Sequence, residues 1–208
     1  MIERTVSVSA TGLASATPDM ATISTGVVAE AATAREAMAA NTAAMSKLLN
    51  GIKAAGFDSK DIRTTTVDVN PRYAEPRPGK PAVINGYSAQ NQVRITVRDL
   101  KKLGDLLDAV LALGATQMGG IAFEVSQAEK LRDEARKTAM INARRRAELY
   151  ATAAGASLGD VLSISEDTPS VQPRMMEGRA VAFSAASVPV EAGEIQLNAT
   201  IHVTWAMK

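Results

Sequence analysis

The stretch Tyr87-Ser88-Ala89-Gln90-Asn91-Gln92-Val93-Arg94-Ile95-Thr96-Val97-Arg98-Asp99-Leu100 decides the fold class. Tyr87, Ala89, Asn91, Val93, Ile95 and Val97 share one side of an extended chain, and Ser88, Gln90, Gln92, Arg94, Thr96 and Arg98 the other. Successive side chains of a strand point to opposite faces, so this alternation predicts a long strand with one wet face. The period then changes. Asp99 is a good helix N-cap, and Leu100, Leu103, Leu106, Leu107 and Val110 recur at helical spacing until Gly114 closes the run.

On the N-terminal side, Thr5-Val6-Ser7-Val8-Ser9-Ala10 alternates polar and apolar, and Gly12 and Pro18-Asp19 punctuate the pattern. Ala21, Ile23, Thr25 and Val27 share one face of a second strand. Two sequential strands this close predict a hairpin. From about Thr33 the spacing becomes helical, with Ala34, Met38, Met45, Leu48 and Ile52 on one stripe and Gly56 as the cap. Arg63 to Val69 reads as a strand, and Pro71 to Pro81, with four prolines and one glycine, as a loop.

On the C-terminal side, Ile121, Phe123 and Val125 make a short strand. Gln127 to Ala154 predicts a helix of roughly 40 Å at about 1.5 Å per residue, with the stripe Ala128, Leu131, Ala135, Ala139, Ala143 and Tyr150. Gly155 ends it, and Val161, Leu162 and Ile164 begin another strand. Glu166 to Ser187 lacks periodicity and reads as a long loop of the kind that serves an interface or a lid. Ile195, Leu197, Ala199, Ile201, Val203 and Trp205 form the apolar side of a final strand. The triplets Ala54-Ala55-Gly56, Ala112-Leu113-Gly114 and Ala153-Ala154-Gly155 read as helix caps rather than as a duplication. The sum predicts an α+β fold: a mixed or mainly antiparallel sheet covered by two to three helices, one of them long and Ala-rich. Residues 1–208 read as a single domain, with a smaller subdomain over about 99–125.

Composition narrows the function. Aromatic residues are only 3% of the 208, so the core rests on Val, Ile, Leu, Met and Ala, whose contacts bury little area each. That favours support from other copies of the chain. Lys and Arg number 23 against 22 Asp and Glu, a net charge of +1, unlike a basic nucleic-acid binder. With no Cys there is no disulfide, thiolate nucleophile or Cys-ligated metal. No run reaches the roughly 20 apolar residues of a membrane-spanning helix. The alternating pattern begins almost at Met1, with no charged and apolar leader before it. Two expectations follow from that start: a cytosolic protein, or a mature form in which a starting Met replaces the leader.

Catalytic signals are weak. His202 is the single histidine and lies on the wet face of the last strand, with no Asp, Glu or Cys within two residues. It reads as structural. The carboxylate pairs Asp58 with Asp61 and Glu166 with Asp167 fall at element ends, where acids suit turns and helix starts. No nucleophile elbow, P-loop or dinucleotide fingerprint is present. Arg144-Arg145-Arg146 fan through about 200° on a helix, among Glu129, Asp133, Glu134 and Glu148, and read as a solvated face with intrahelical ion pairs. No catalytic, cofactor-binding or metal residue is assigned, and no cofactor. Met175, Met176, Arg179 and Phe183, in the long loop, are the candidate interface residues.

A series of short words spans nearly the whole chain in order. They are Val6-Ser7-Val8-Ser9-Ala10-Thr11-Gly12, Pro18-Asp19-Met20-Ala21-Thr22-Ile23, Asp61-Ile62-Arg63-Thr64-Thr65 and Pro71-Arg72-Tyr73. Gly86-Tyr87-Ser88-Ala89-Gln90-Asn91, Thr96-Val97-Arg98-Asp99-Leu100 and Ala147-Glu148-Leu149-Tyr150-Ala151 follow. Gly155, Leu162-Ser163-Ile164-Ser165-Glu166 and Val188-Pro189-Val190-Glu191-Ala192-Gly193-Glu194 complete the series. In this the chain resembles the SIMPL-domain family of bacterial envelope proteins, of the periplasmic immunogenic, outer-membrane-associated type. The resemblance implies a periplasmic or envelope address with a removed signal peptide. It also implies assembly into a large ring or channel-like homo-oligomer, outer-membrane association and a loose link to oxidative-stress tolerance. It supplies no catalytic residues. The expectation is therefore a non-enzymatic, self-assembling envelope protein without nucleic-acid or small-molecule substrate. The alternative is a periplasmic binding module for a small apolar ligand or an unfolded client.

Overall fold

The computed structural model describes residues 4–75, 81–167, 174–176 and 191–208. Its elements, in chain order, are β1 (Thr5–Ala16), β2 (Met20–Ala31), α1 (Ala34–Ala54), β3 (Ile62–Tyr73), β4 (Ile84–Val97), α2 (Leu103–Ala112), β5 (Gln117–Glu124), α3 (Ala128–Ala153), β6 (Leu158–Glu166), β7 (Arg174–Met176) and β8 (Glu194–Met207). They form two antiparallel sheets and three helices, an α+β fold. The chain divides into two compact units, one of β1, α3, β6, β7 and β8, the other of β2, α1, β3, β4, α2 and β5. Residues 99–125 contribute α2 and β5 to the second unit.

The expected hairpin of the first two strands does not form. β1 pairs with β8 from Thr5↔Ala206 to Ala16↔Ile195, whereas β2 lies between β4 and β5 in the other sheet. Tight hairpin turns need residues with positive φ. Thr17-Pro18-Asp19 has no glycine, and every described non-glycine residue keeps φ negative. Thr17-Pro18-Asp19 links β1 of the first unit to β2 of the second.

In the first unit the sheet order is β1-β8-β6, with β7 also on β8. α3 covers one face. Its buried stripe is Ala135, Ala139, Ala143, Ala147 and Ala151, a strict i, i+4 row. Tyr150, placed on that stripe by spacing alone, is exposed instead, and Ala147 and Ala151 take its place. The row of methyl groups allows backbone contact with β1. A Cβ on Gly12 would stand 2.0 Å from the Ala135 carbonyl oxygen and 2.3 Å from the Ala139 nitrogen, so only glycine fits. Val8, Ala10, Ile201, Val203 and Trp205 fill the space below the helix, Trp205 being the largest of them.

In the second unit the order is β3-β4-β2-β5. α1 and α2 pack on one face through Met45, Leu48, Ile52, Leu103, Leu106, Leu107 and Val110 against Ala21, Ile23, Val27, Val93, Ile95 and Val97. The α1 stripe starts at Ala37 and contains the polar Asn41, whereas Ala34 is exposed and Met38 half-buried. Asn41 is wholly buried because its Nδ2 donates to the carbonyls of Val27 (2.8 Å) and Ala89 (2.9 Å). Thr33 and Glu36 cap the start of α1 reciprocally. Gly56, Gly114 and Gly155 end the three helices with φ of 89°, 94° and 68°, the left-handed cap the triplets predicted. β3 extends past Val69 to Tyr73, so the expected loop starts later. Pro71 is tolerated because β3 is an edge strand, where a missing N–H breaks no central ladder.

Candidate interaction surface

The two edges of the first unit's sheet are treated differently. Along β1, side chains of α3 reach over the edge. Asn142 Nδ2 donates to the Thr11 carbonyl at 3.1 Å, and Arg146 Nη1 donates to the Ser9 carbonyl at 3.0 Å. Along β6, no side chain among the described residues donates to the strand's backbone. Val161, Leu162 and Ile164 on β6 are 45%, 51% and 59% exposed. Val161 and Ile164 stand opposite the buried Trp205 and Val203, so they share the core face of the sheet, and they are exposed because β6 is its outer strand. Edge strands usually carry a charge or proline in mid-strand. In β6 the acids Asp160 and Glu166 stand near its ends, leaving an apolar centre. On the outer face of α3, in the same unit, Ile141, Leu149 and Tyr150 are exposed as well.

The charged groups around this edge are paired. Glu166 accepts from Arg136 Nε at 3.0 and 3.1 Å, and Arg136 Nη1 donates to Asp133 at 2.8 Å. Its hydrogen bond to Asp133, then those to Glu166, push the Arg136 guanidinium further above its already high range. His202 Nε2 lies 2.9 Å from Asp167 Oδ1, with both side chains half exposed. The partner that sequence distance hid is thus 35 residues away and brought close by the β6–β8 pairing. Without a third ligand, the pair forms no metal cluster among the described residues.

β7 occupies the same flank of β8 as β6, with Arg174↔Gln196, Met175↔Ile195 and Met176↔Glu194 in register. The segment read as an unstructured loop therefore contains a short strand, formed because β8 is long enough to pair with two elements in succession. Of the candidate interface residues, Met175 and Met176 lie on this strand, whereas Arg179 and Phe183 fall outside the described residues. The exposed row of β6 was missed. Val161, Leu162 and Ile164 are the residue types of a buried strand, and their place on the sheet's outer strand exposes them.

The other candidates are surface ion pairs. Asp58 bonds Lys60 at 2.8 Å, and this hydrogen bond holds its carboxyl below the usual range. Asp61 accepts from Arg98 Nη2 at 2.7 Å and from Nε at 2.9 Å. Arg144 pairs with Glu148 and Lys137 with Glu134, while Arg132 reaches Glu129. These are the intrahelical pairs that the interleaved charges predicted. No described helix is long and apolar enough to cross a membrane.

The fold and its surfaces define a two-unit antiparallel α+β protein, and in the first unit the described residues leave the β6 edge of the sheet without side-chain cover. The chain belongs to the SIMPL family, described as a protein of unknown function (DUF541), whose model matches residues 6–205. It is 36% identical over 211 residues to the 26 kDa periplasmic immunogenic protein of Brucella abortus, covering 98% of this chain and 84% of the relative. It is 32% identical to the uncharacterized protein YggE of Edwardsiella ictaluri, covering 93% and 80%. An amidase of the hydantoinase/carbamoylase family from Burkholderia phymatum overlaps 59% of this chain and 30% of its own, at 17% identity and a TM-score of 0.26. A likeness of that size carries no statement about fold or activity.

Proposed function

We propose that this chain is a non-enzymatic envelope protein, periplasmic like the relatives so named, whose copies assemble into a large homo-oligomer of ring or channel-like form. The observation that carries the reading is β6. An edge strand with an apolar, uncharged centre is a template for pairing with another chain, and soluble monomers normally block such edges. A second copy would cover Val161, Leu162 and Ile164 and complete the strand's backbone hydrogen bonds. The exposed Ile141, Leu149 and Tyr150 on α3 offer further apolar area to the same kind of contact. The low aromatic content fits this too, since a core of small side chains leaves much of the stabilisation to neighbours.

Light scattering on a sizing column across a dilution series tests the proposal. The wild-type chain is expected as a particle many times the protomer mass of 21.8 kDa. Leu162→Lys and Ile164→Lys place a charge at the strand centre and are expected to shift the particle toward the protomer, with the circular dichroism spectrum unchanged. A wild-type protomer at every concentration refutes assembly and leaves the binding-module alternative, in which the same edge receives an extended client segment.

A further inference from the structure

The open face of the second unit's sheet, opposite α1 and α2, carries a charge arrangement that the assembly reading does not use. Arg63 on β3 and Arg94 on β4 are directly opposite one another in the ladder, and both are exposed. Like charges in that position repel and weaken a strand pair. No carboxylate among the described residues relieves them. The acids of the same face are engaged elsewhere: Glu30 with Arg72, Asp68 with Asn70 and Glu124 with Thr22. Asp61, near the end of β4, is held by Arg98.

The row continues into a bare patch. Ser24 on β2 is the next partner of Arg94. On the far side of Ser24 the β5 register jumps from Ile23↔Ile121 to Thr25↔Met118, leaving Gly119 and Gly120 opposite. A Cβ on Gly120 would meet nothing within 4 Å, whereas one on Gly119 would stand 3.0 Å from the Ser24 Cβ, so the row is open beyond Gly120 and close-packed at Gly119. Two guanidinium forks and a hydroxyl thus line one row, ending in glycines that carry no side chain over it. A planar carboxylate is satisfied by one fork, whereas the oxygens of a phosphate need donors from several directions.

We propose that Arg63, Arg94 and Ser24 form a site for one phosphate group, either the free ion or a phosphate esterified in a lipid headgroup. The bound anion lies across the β3–β4 pair and turns a repulsive contact into a bridge. The site is on the second unit and is independent of the β6 edge, so its failure leaves the assembly proposal standing, and the reverse.

The test is a titration of the full chain with inorganic phosphate, chloride replacing it at constant ionic strength, followed by amide chemical shifts and thermal midpoint. Phosphate is expected to move the amides of residues 24, 63 and 94 and to raise the midpoint. Arg94→Lys keeps the charge but loses the fork, and is expected to bind about tenfold more weakly, the loss of one charge-assisted hydrogen bond. The double variant Arg63→Gln/Arg94→Gln is expected to lose the response and, in phosphate-free buffer, to unfold no earlier than wild type, because the repulsion is gone. Arg145→Gln, on exposed α3 in the other unit, is expected to respond as wild type does. Cosedimentation with phosphatidylglycerol vesicles, beside phosphatidylcholine vesicles, identifies the source. Loss of phosphatidylglycerol binding in the double variant assigns the lipid headgroup, and a phosphate response without vesicle binding assigns the free ion. If neither probe separates wild type from the double variant, the site is refuted.

Discussion

Gly12→Ala puts the packing of the first unit to a quantitative test. The added Cβ would stand 2.0 Å from the Ala135 carbonyl oxygen, 2.3 Å from the Ala139 nitrogen and 2.9 Å from the Thr138 carbonyl carbon. All three are backbone atoms of α3, so no rotamer change can relieve the clash. Ordinary carbon contacts lie at about 3.5–4.0 Å, so the helix must lift by more than 1 Å at this point. Lifting it strips contacts from Ala135 and Ala139, both wholly buried. Overpacking of this kind costs about 1–3 kcal/mol, and a rigid backbone obstacle belongs at the upper end. Against that, replacing glycine stabilises by about 0.4–1 kcal/mol through the unfolded chain. The expected net loss is about 2 kcal/mol. Trp205 is the single tryptophan and lies in this unit's core, so urea unfolding followed by its fluorescence reads the unit directly. Gly120→Ala, on β5 of the second unit, is the control for a glycine whose Cβ meets nothing within 4 Å, and it is expected to leave the Trp205 transition unchanged. A Gly12→Ala midpoint equal to that of wild type refutes the close-contact reasoning.

Asn41→Ala leaves the Val27 and Ala89 carbonyls without their side-chain donor in the core of the second unit. A destabilisation of about 2–4 kcal/mol is expected, seen as faster amide exchange in β2 and β4, and unchanged exchange there counts against it. The lowered Asp58 pKa arises first from the Lys60 hydrogen bond and then from the Lys60 charge. A depressed folded-state pKa adds stability above the unfolded value of about 3.9 that is lost as pH falls through the folded one. Lys60→Ala is expected to raise the Asp58 titration midpoint toward the ordinary range, with little effect on global stability because the pair is exposed.

Much of the architecture was legible because it is written in local pattern. The alternation from Tyr87 to Val97, the leucines after Asp99 and the three capping glycines report side-chain direction and backbone handedness, which neighbouring residues fix. The interaction surface was not legible. Val161, Leu162 and Ile164 look like core residues, and their exposure comes from the edge position that β6 takes beside β8, a strand that follows nearly thirty residues later in the chain. His202 met Asp167, and Arg63 met Arg94, for the same reason.

The sequence by itself determined where the long strands and the helices lie, where helices stop, and which family the words spell. Tertiary structure alone decided that β1 and β2 part company, that alanines rather than Tyr150 face the sheet, and which edge stays bare. Periodicity assigns each residue to a side of its own element. Which side is buried, and which strand is its neighbour, depends on contacts between segments far apart in the chain, and no local pattern encodes them.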